Sequence, residues 1–357
     1  MVDLAARILK ISKNENAYLL TEDRPPETYI DTGNLALNAL ISGDPFLGIP
    51  TNAIIQFAGK ESTGKSFFSL EIVKQAQKIG YTVLYYDTEG AQRKSALLGR
   101  GIIPELFIQS HFNLIKPLQT DILNILKTVD AKKDKLLIVI DSIGMLNSSK
   151  QMNDAVTGND KQDMTKQKEL SGLFTTMTSD ASLKNVPIIV INHVYDDTTS
   201  MYGATIVGGG KGSKLSSTGI FKVTKSQEKE ASGRIVGAQI TVTSEKNRLA
   251  REKTKVKVII DYSRGLLRFS GLFDIALETN FIKEVKKGWY TYEGYEGPSL
   301  RKKDFNNEAI WKAIFDAGFY AKIKDLFAYR AATDGLAESE HVDLESFEGD
   351  VEPEEME

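Results

Sequence analysis

Residues 52–78 read NAIIQFAGKESTGKSFFSLEIVKQAQK. A short, almost continuously apolar run ends at Gly59, and buried parallel strands read in this way. Gly59, Gly64, Lys65 and Ser66 then satisfy G-x-x-x-x-G-K-[ST], and a helix-like segment follows. The glycines permit a tight loop whose backbone N–H groups face inward, and the next helix adds its positive N-terminal end. The whole loop, Gly59, Lys60, Glu61, Ser62, Thr63, Gly64, Lys65, Ser66 and Phe67, is therefore the expected cradle for nucleotide phosphates. Lys65 would neutralise the β- and γ-phosphates and Ser66 would hold Mg²⁺. The bland alternative is a Gly-rich turn with an unemployed lysine.

Three more apolar runs share this character: YTVLYYDTE (81–89), LLIVIDS (136–142) and VPIIVINH (186–193). Helix-like segments separate them, so an α/β fold with a mainly parallel sheet is expected. Asp141 ends the second run, the position at which a carboxylate holds a Mg²⁺ shell, although it could also cap the next helix. In a parallel sheet Glu89 would lie on the same edge, where it could orient and deprotonate a water; a solvated turn acid is the other reading. His193 ends the last run, placed to sense a γ-phosphate or to serve a structural role. GIFKVTKS (219–226), AQITVTSEKN (238–247) and KVKVIIDY (255–262) follow without helices between them and read as an antiparallel extension.

Composition excludes several classes. The chain has 357 residues, no cysteine and three histidines, so disulfides and thiolate chemistry are out and a zinc site is not expected. No apolar run approaches the roughly 20 residues of a membrane span, and no signal peptide is expected, which points to a cytoplasm. The net charge of −3 hides an asymmetry: from Glu338 onward there are ten acidic residues and no Lys or Arg. Positions 1–337 thus hold 45 basic and 38 acidic residues, a body suited to a polyanion with a tail that could compete for it. The tail alone could also simply aid solubility.

Residues 1–20 read as an amphipathic helix with Leu4, Ile8, Leu9 and Ile11 on one face, followed by the linker TEDRPPETYIDTGN (21–34) and a short helix at 35–40. Two polar stretches follow sensing positions: SSKQMNDAVTGNDKQDMTKQK (148–168) and TSMYGATIVGGGKGSKLSS (199–217). The second is expected as a long loop, not a compact element, with amides and lysines for phosphates and apolar tips at Met201, Tyr202, Ile206 and Val207 for bases. Beyond Ser270, GLFDIALETNFI reads as helix, GWYTYEG as strand and 306–332 as helix again.

GKESTGKS, DTEG, LLIVIDS, VINH and the Gly-rich loop stand in the order and spacing of RecA-type strand-exchange recombinases, and NDKQDMTKQKELSGLF, VGGG, SEKNRLAREKTK and GWY are similar to the branch found in T-even phages. The resemblance covers most of residues 30–295. It implies a RecA-like P-loop ATPase core at 31–270, an assembly segment at 1–30, a small C-terminal α/β domain at 271–332 and an acidic tail at 333–357. It further implies ATP and Mg²⁺ as cofactors, with Lys65 and Glu89 catalytic, Ser66 and Asp141 on the metal and His193 at the γ-phosphate. Lys246 and Arg248 would reach a neighbour's nucleotide across a filament interface, supplying charge in trans. Met164, Lys166 and Lys168 match the first DNA loop, and Met201, Ile206, Val207, Gly208, Gly209, Gly210, Lys211 and Lys214 fall in the second. Bacterial members place a tyrosine on the adenine where this chain has Ala96, so Arg93 is the candidate to stack there. Implied partners are single-stranded DNA, homologous duplex, further copies of the chain, a single-strand-binding protein and a recombination mediator. A ring-shaped helicase on the same core, or a weakly hydrolysing pairing scaffold, are the competing readings.

Overall fold

The structure is a computed structural model describing residues 2–12, 17, 28–157, 165–196, 205–229 and 235–329. In chain order the first half comprises α1 (Val2–Ile11), β1 (Tyr29–Ile30), α2 (Leu35–Ser42), β2 (Ile49–Pro50), β3 (Ile54–Gly59), α3 (Lys65–Lys78), β4 (Thr82–Asp87), α4 (Lys94–Gly99), β5 (Phe107–Ser110), α5 (Ile115–Thr128) and β6 (Leu136–Asp141). Then come α6 (Ser149–Thr157), α7 (Thr165–Leu183), β7 (Ile188–Asp196), β8 (Thr205–Val207), α8 (Gly210–Ser216), β9 (Gly219–Lys229), β10 (Ile235–Asn247), β11 (Lys255–Asp261) and β12 (Gly265–Leu266). The chain closes with α9 (Leu272–Glu278), β13 (Ile282–Lys286), β14 (Trp289–Tyr292), α10 (Glu308–Ile314) and α11 (Tyr320–Phe327).

The main sheet runs β12-β11-β10-β9-β3-β7-β6-β4-β5, with β8 paired to the end of β7. From β9 to β5 the pairs are parallel, so 219–226, expected in the antiparallel extension, instead lies parallel to β3 and is antiparallel only to β10; β10, β11 and β12 form the extension. Alternation along each parallel strand sorts side chains to two cores. Leu137 and Val139 of β6 face one with Ile55, Phe57 and Ile191, while Ile138 and Ile140 face the other with Ile54, Ile188 and Val190. The second core is closed by α5, whose Ile115, Leu118, Ile122 and Leu126 recur at helical spacing, and by Leu173, Phe174 and Met177 of α7.

The first core continues without a break into the C-terminal elements through Trp311, Ile314, Phe319 and Phe327. Tyr320 donates its hydroxyl to Asp44 Oδ2 at 2.5 Å, tying α11 to the end of α2. At Gly318, φ 97, the helical run expected over 306–332 breaks between α10 and α11. The helix expected through residue 282 stops at Glu278, because Asn280 turns left-handed (φ 57) and Ile282 begins β13. Among the described residues, no helix is long and apolar enough to cross a membrane.

Two expectations are revised. The glycine-rich stretch is not an open loop across its described part: β8 pairs with β7 and α8 packs on α7. The reason is Gly212, where a Cβ would fall 2.1 Å from Ser171 Oγ, so the missing side chain lets the two helices meet. Similarly, 149–157 is helical and Lys166 and Lys168 stand in the first turn of α7. Met164, Met201, Tyr202, residues 13–16 and 18–27, and the acidic tail lie outside the described residues.

Candidate nucleotide and DNA site

Strands β3, β4 and β6 end at one edge, which β7 runs past; register sets Gly59 beside His193 and Asp87 beside Asp141. At this edge Lys65, buried at the start of α3, donates from Nζ to the carbonyls of Gly59 (2.9 Å) and Lys60 (2.7 Å). Thr63 Oγ1 donates to Lys60 O at 2.8 Å, closing the loop on itself. A Cβ at Gly59 would lie 2.4 Å from Val223 O, so glycine is required for β9 to pass this close. Burial holds the Lys65 ammonium below the ordinary lysine range, while Asp141, Glu89 and Glu61 pull it back. Phosphate oxygens in the loop would favour its charged form further.

Asp141 is also buried, and burial raises its pKa above the ordinary carboxylate value. Hydrogen bonds from Tyr85 Oη (2.6 Å, to Oδ2) and from Ser66 oppose that rise. The Asp141 carboxylate and the Ser66 hydroxyl are hard oxygen donors already in contact. That set fits Mg²⁺, which takes one or two protein oxygens and completes its shell with phosphates and water.

Glu89, Ser142 and His193 form a connected group. Ser142 Oγ donates to Glu89 Oε1 at 2.9 Å and lies 3.1 Å from His193 Nε2, which is itself 3.6 Å from Glu89 Oε1. Thr88 fixes Ser142 from both sides, donating Oγ1 to Ser142 O (2.7 Å) and accepting from Ser142 N (2.9 Å). Glu89 keeps a solvent-facing side, so a water there can be oriented by the carboxylate.

The strand bearing His193 leads directly to the glycine-rich segment. Gly208 N donates to His193 O at 3.0 Å, and Asn192 Nδ2 donates to Gly208 O at 2.9 Å and to Gln56 Oε1 at 3.0 Å. Gln56, buried in β3, donates Nε2 to Ser213 Oγ at 2.8 Å and to the hydroxyl of Ser217. A buried polar network thus joins the phosphate-loop strand, the histidine strand and α8. Ile206 is exposed on β8, beside the half-buried Val207; Gly209 and Gly210 have positive φ; Lys168, Lys211 and Lys214 are exposed.

Lys246 and Arg248 are not at the nucleotide loop of their own subunit. Lys246 Nζ donates to the carbonyls of Lys214, Leu215 and Ser217 (2.6, 3.1 and 2.7 Å), and Arg248 Nη2 donates to Leu215 O at 2.7 Å. Together they cover the C-terminal end of α8, where cations complement the helix dipole. A register shift in β9–β10 between Ser244 and Lys246 re-aims the strand at this point.

Beside Gly64 opens a cleft of about 530 Å³ lined by Phe67, Ala96, Arg100, Ile240, Ile260 and Tyr262, among others. Arg100 stacks over the Phe67 ring at 4.9 Å. Arg93 is exposed at the start of α4 and does not line the cleft. Arg100 and Tyr262, which sequence reading did not single out, do line it. Nor did it single out Tyr85, Ser142 or Gln56, although a lone glutamine inside an apolar strand was a usable signal.

Fold and site define a P-loop ATPase with a RecA-like core. Residues 10–267 match the RecA N-terminal domain family, and residues 269–323 match the C-terminal domain of the bacteriophage T4 recombination and repair protein. The chain is 32% identical over 332 residues to the recombination and repair protein of Enterobacteria phage T4, covering 88% of this chain and 83% of that one. It is 27% identical over 300 residues to protein RecA of Lactobacillus acidophilus, covering 81% and 78%. A crystal structure of the RadB recombinase shares the fold at a TM-score of 0.50 and 22% identity, over 66% of this chain and 98% of that one. The chain belongs to the RecA family and is a RecA-type recombinase of recombination and repair. RecA-family recombinases are DNA-dependent ATPases that bind DNA, form filaments and generally use nucleotide with magnesium.

Proposed function

We propose that this chain polymerises head to tail on single-stranded DNA with ATP and Mg²⁺, pairs the bound strand with homologous duplex and exchanges strands. The observation that carries this reading is the continuity between the nucleotide edge and the glycine-rich segment. Lys65, Asp141 and the Glu89–Ser142–His193 group share one edge, and the His193 carbonyl directly holds Gly208. Nucleotide occupancy can therefore bias the order of a DNA-contacting element.

In this reading Lys65 and the loop amides hold the phosphates. Mg²⁺ on Ser66 and Asp141 would offset charge on the β- and γ-phosphate oxygens. Glu89 orients the attacking water and accepts its proton, Ser142 holds Glu89 in place, and His193 reads the γ-phosphate. Arg100 and Tyr262 line the base cleft. Lys246 and Arg248 leave α8 to reach a neighbour's nucleotide, which couples assembly to nucleotide state.

Residues 1–30 serve assembly, 31–270 form the ATPase with two DNA segments, 271–332 form a small C-terminal unit, and the 333–357 tail competes with DNA for the basic body. Exposed Leu4, Ile8 and Ile11 on α1 support docking on another copy, a contact that repeats into a helical filament. A single-strand-binding protein and a loading mediator are the further partners, in a cytoplasmic setting.

Electron microscopy of the protein with single-stranded DNA and a slowly hydrolysed ATP analogue tests the reading. Extended helical filaments are expected. Closed rings would move the assignment to a helicase-like motor.

A further inference from the structure

Of the lysines expected on DNA, Lys166 stands apart. Lys168, Lys211 and Lys214 are exposed, as phosphate contacts must be, whereas Lys166 is half-buried and its Nζ donates to Gly144 O at 2.9 Å. Burial holds its ammonium below the ordinary lysine range.

Gly144 lies in the tight turn Ile143–Met145 that follows Asp141. Its other side carries the His193 ring: a Cβ at Gly144 would fall 2.5 Å from His193 Cδ2, so the ring rests on bare backbone. The same turn touches the start of α8, because a Cβ at Gly209 would come 3.2 Å from Ile143 Cδ1. His193 in turn meets Ser142 Oγ, which holds Glu89. Lys166 thus ends a chain of contacts running from the first turn of α7, through Gly144 and His193, to Glu89.

We propose that Lys166 is a positioning residue for the hydrolytic centre, bracing the 143–145 turn beneath His193, and not a contact to DNA phosphate. The proposal rests on the ATPase reading above. A displacement of the first turn of α7 by DNA would be passed by this ammonium to Gly144, hence to the ring and to the carboxylate that orients water. A misplacement of an ångström at such a carboxylate lowers turnover substantially.

Two variants test it in the full-length protein: Lys166→Met, which removes donor and charge, and Lys166→Gln, which keeps an N–H donor without charge. Single-stranded DNA affinity is measured across a salt series, and steady-state ATP turnover is measured at saturating DNA. A lost phosphate contact would make the slope of log affinity against log salt shallower by about 0.7. The expected result is a wild-type slope in both variants with kcat ordered wild type above Gln above Met, the Met variant down roughly tenfold or more. If the Met variant does not fold, the Gln variant decides by the same two readings: wild-type slope with reduced kcat. A shallower slope, or wild-type kcat in each variant that folds, overturns the proposal. The wild-type control separates the two readings, since wild-type protein that never turns over ATP with DNA would sink the ATPase reading itself.

Discussion

Gly59 and His193 are register partners across β3 and β7. The first residue of the phosphate loop therefore sits one strand spacing, roughly 4.8 Å, from the histidine whose carbonyl holds Gly208. One rigid pair of strands carries both the triphosphate cradle and the root of the glycine-rich segment. His193→Ala is expected to abolish the gain in single-stranded DNA affinity that a slowly hydrolysed ATP analogue brings. Binding isotherms with and without the analogue check this, and an undiminished gain would place the coupling elsewhere.

Glu89→Gln should lower DNA-stimulated turnover by on the order of 10²–10⁴ while leaving filaments on single-stranded DNA intact. The amide preserves size and one acceptor but cannot take a proton. Phosphate release and electron microscopy on the same sample give both readings. Normal turnover would remove Glu89 from the catalytic role.

The acid limb of turnover should follow Asp141. Its folded pKa is raised from 3.8, chiefly by burial, so by itself it stabilises the fold below 3.8 and loses that contribution as pH rises through the folded value. Mg²⁺ requires the ionised form, so Mg²⁺ affinity, and with it turnover at limiting Mg²⁺, should begin to fall on acidification at a higher pH than an ordinary aspartate would dictate. The Tyr85 hydroxyl favours the carboxylate. Tyr85→Phe should move the limb to still higher pH, which a pH–rate profile at fixed, limiting Mg²⁺ would reveal; an unmoved limb counts against Asp141 as the group responsible.

Lys246→Met and Arg248→Met each remove a cation from the end of α8, which should cost an isolated subunit only about 0.3–1 kcal/mol in denaturant unfolding. On saturating single-stranded DNA the same variants should lose kcat by roughly 10³-fold or more, the scale of a charge supplied in trans. Equal, small effects in both assays would confine the two residues to capping.

Gln56→Leu strips partners from Asn192, Ser213 and Ser217 in the buried network. Leaving such groups unpaired costs on the order of 1–3 kcal/mol, read from the denaturation midpoint. Amide exchange over 208–217 should rise well beyond the change elsewhere, and a uniform change would make Gln56 an ordinary core residue.

The centre of the sheet was legible because β3, β4, β6 and β7 are nearly continuous apolar runs, and length and flanking turn residues suffice for such strands. Strand β5 was missed: FIQS is four residues at a sheet edge, with Ile108 and Gln109 exposed, so it carries no burial pattern. The places of Lys65 at the start of α3, Asp141 at the end of β6 and Glu89 just past β4 were readable because each follows closely on an apolar strand. Tyr262 and Arg100 were not, since they reach the cleft beside Gly64 from β11's end and α4's, far apart in sequence and without a local motif. The glycine-rich segment misled for a physical reason. Glycines that look like freedom were in part spacers, and Gly212 is one because Ser171 occupies the room its side chain would need.

The join between α11 and the 247–253 segment bears on how the protein can be handled. Arg251 N donates to Phe327 O at 2.8 Å, and Tyr329 Oη donates to Asn247 O at 2.8 Å. The hairpin turn that follows Lys246 and Arg248 is thus latched by the last described residues of the chain. A fluorophore, affinity handle or fusion partner grafted beyond Tyr329 leaves both latches in place. The same graft a few residues earlier would unlatch the turn, and a preparation judged inactive could owe its fault to the handle.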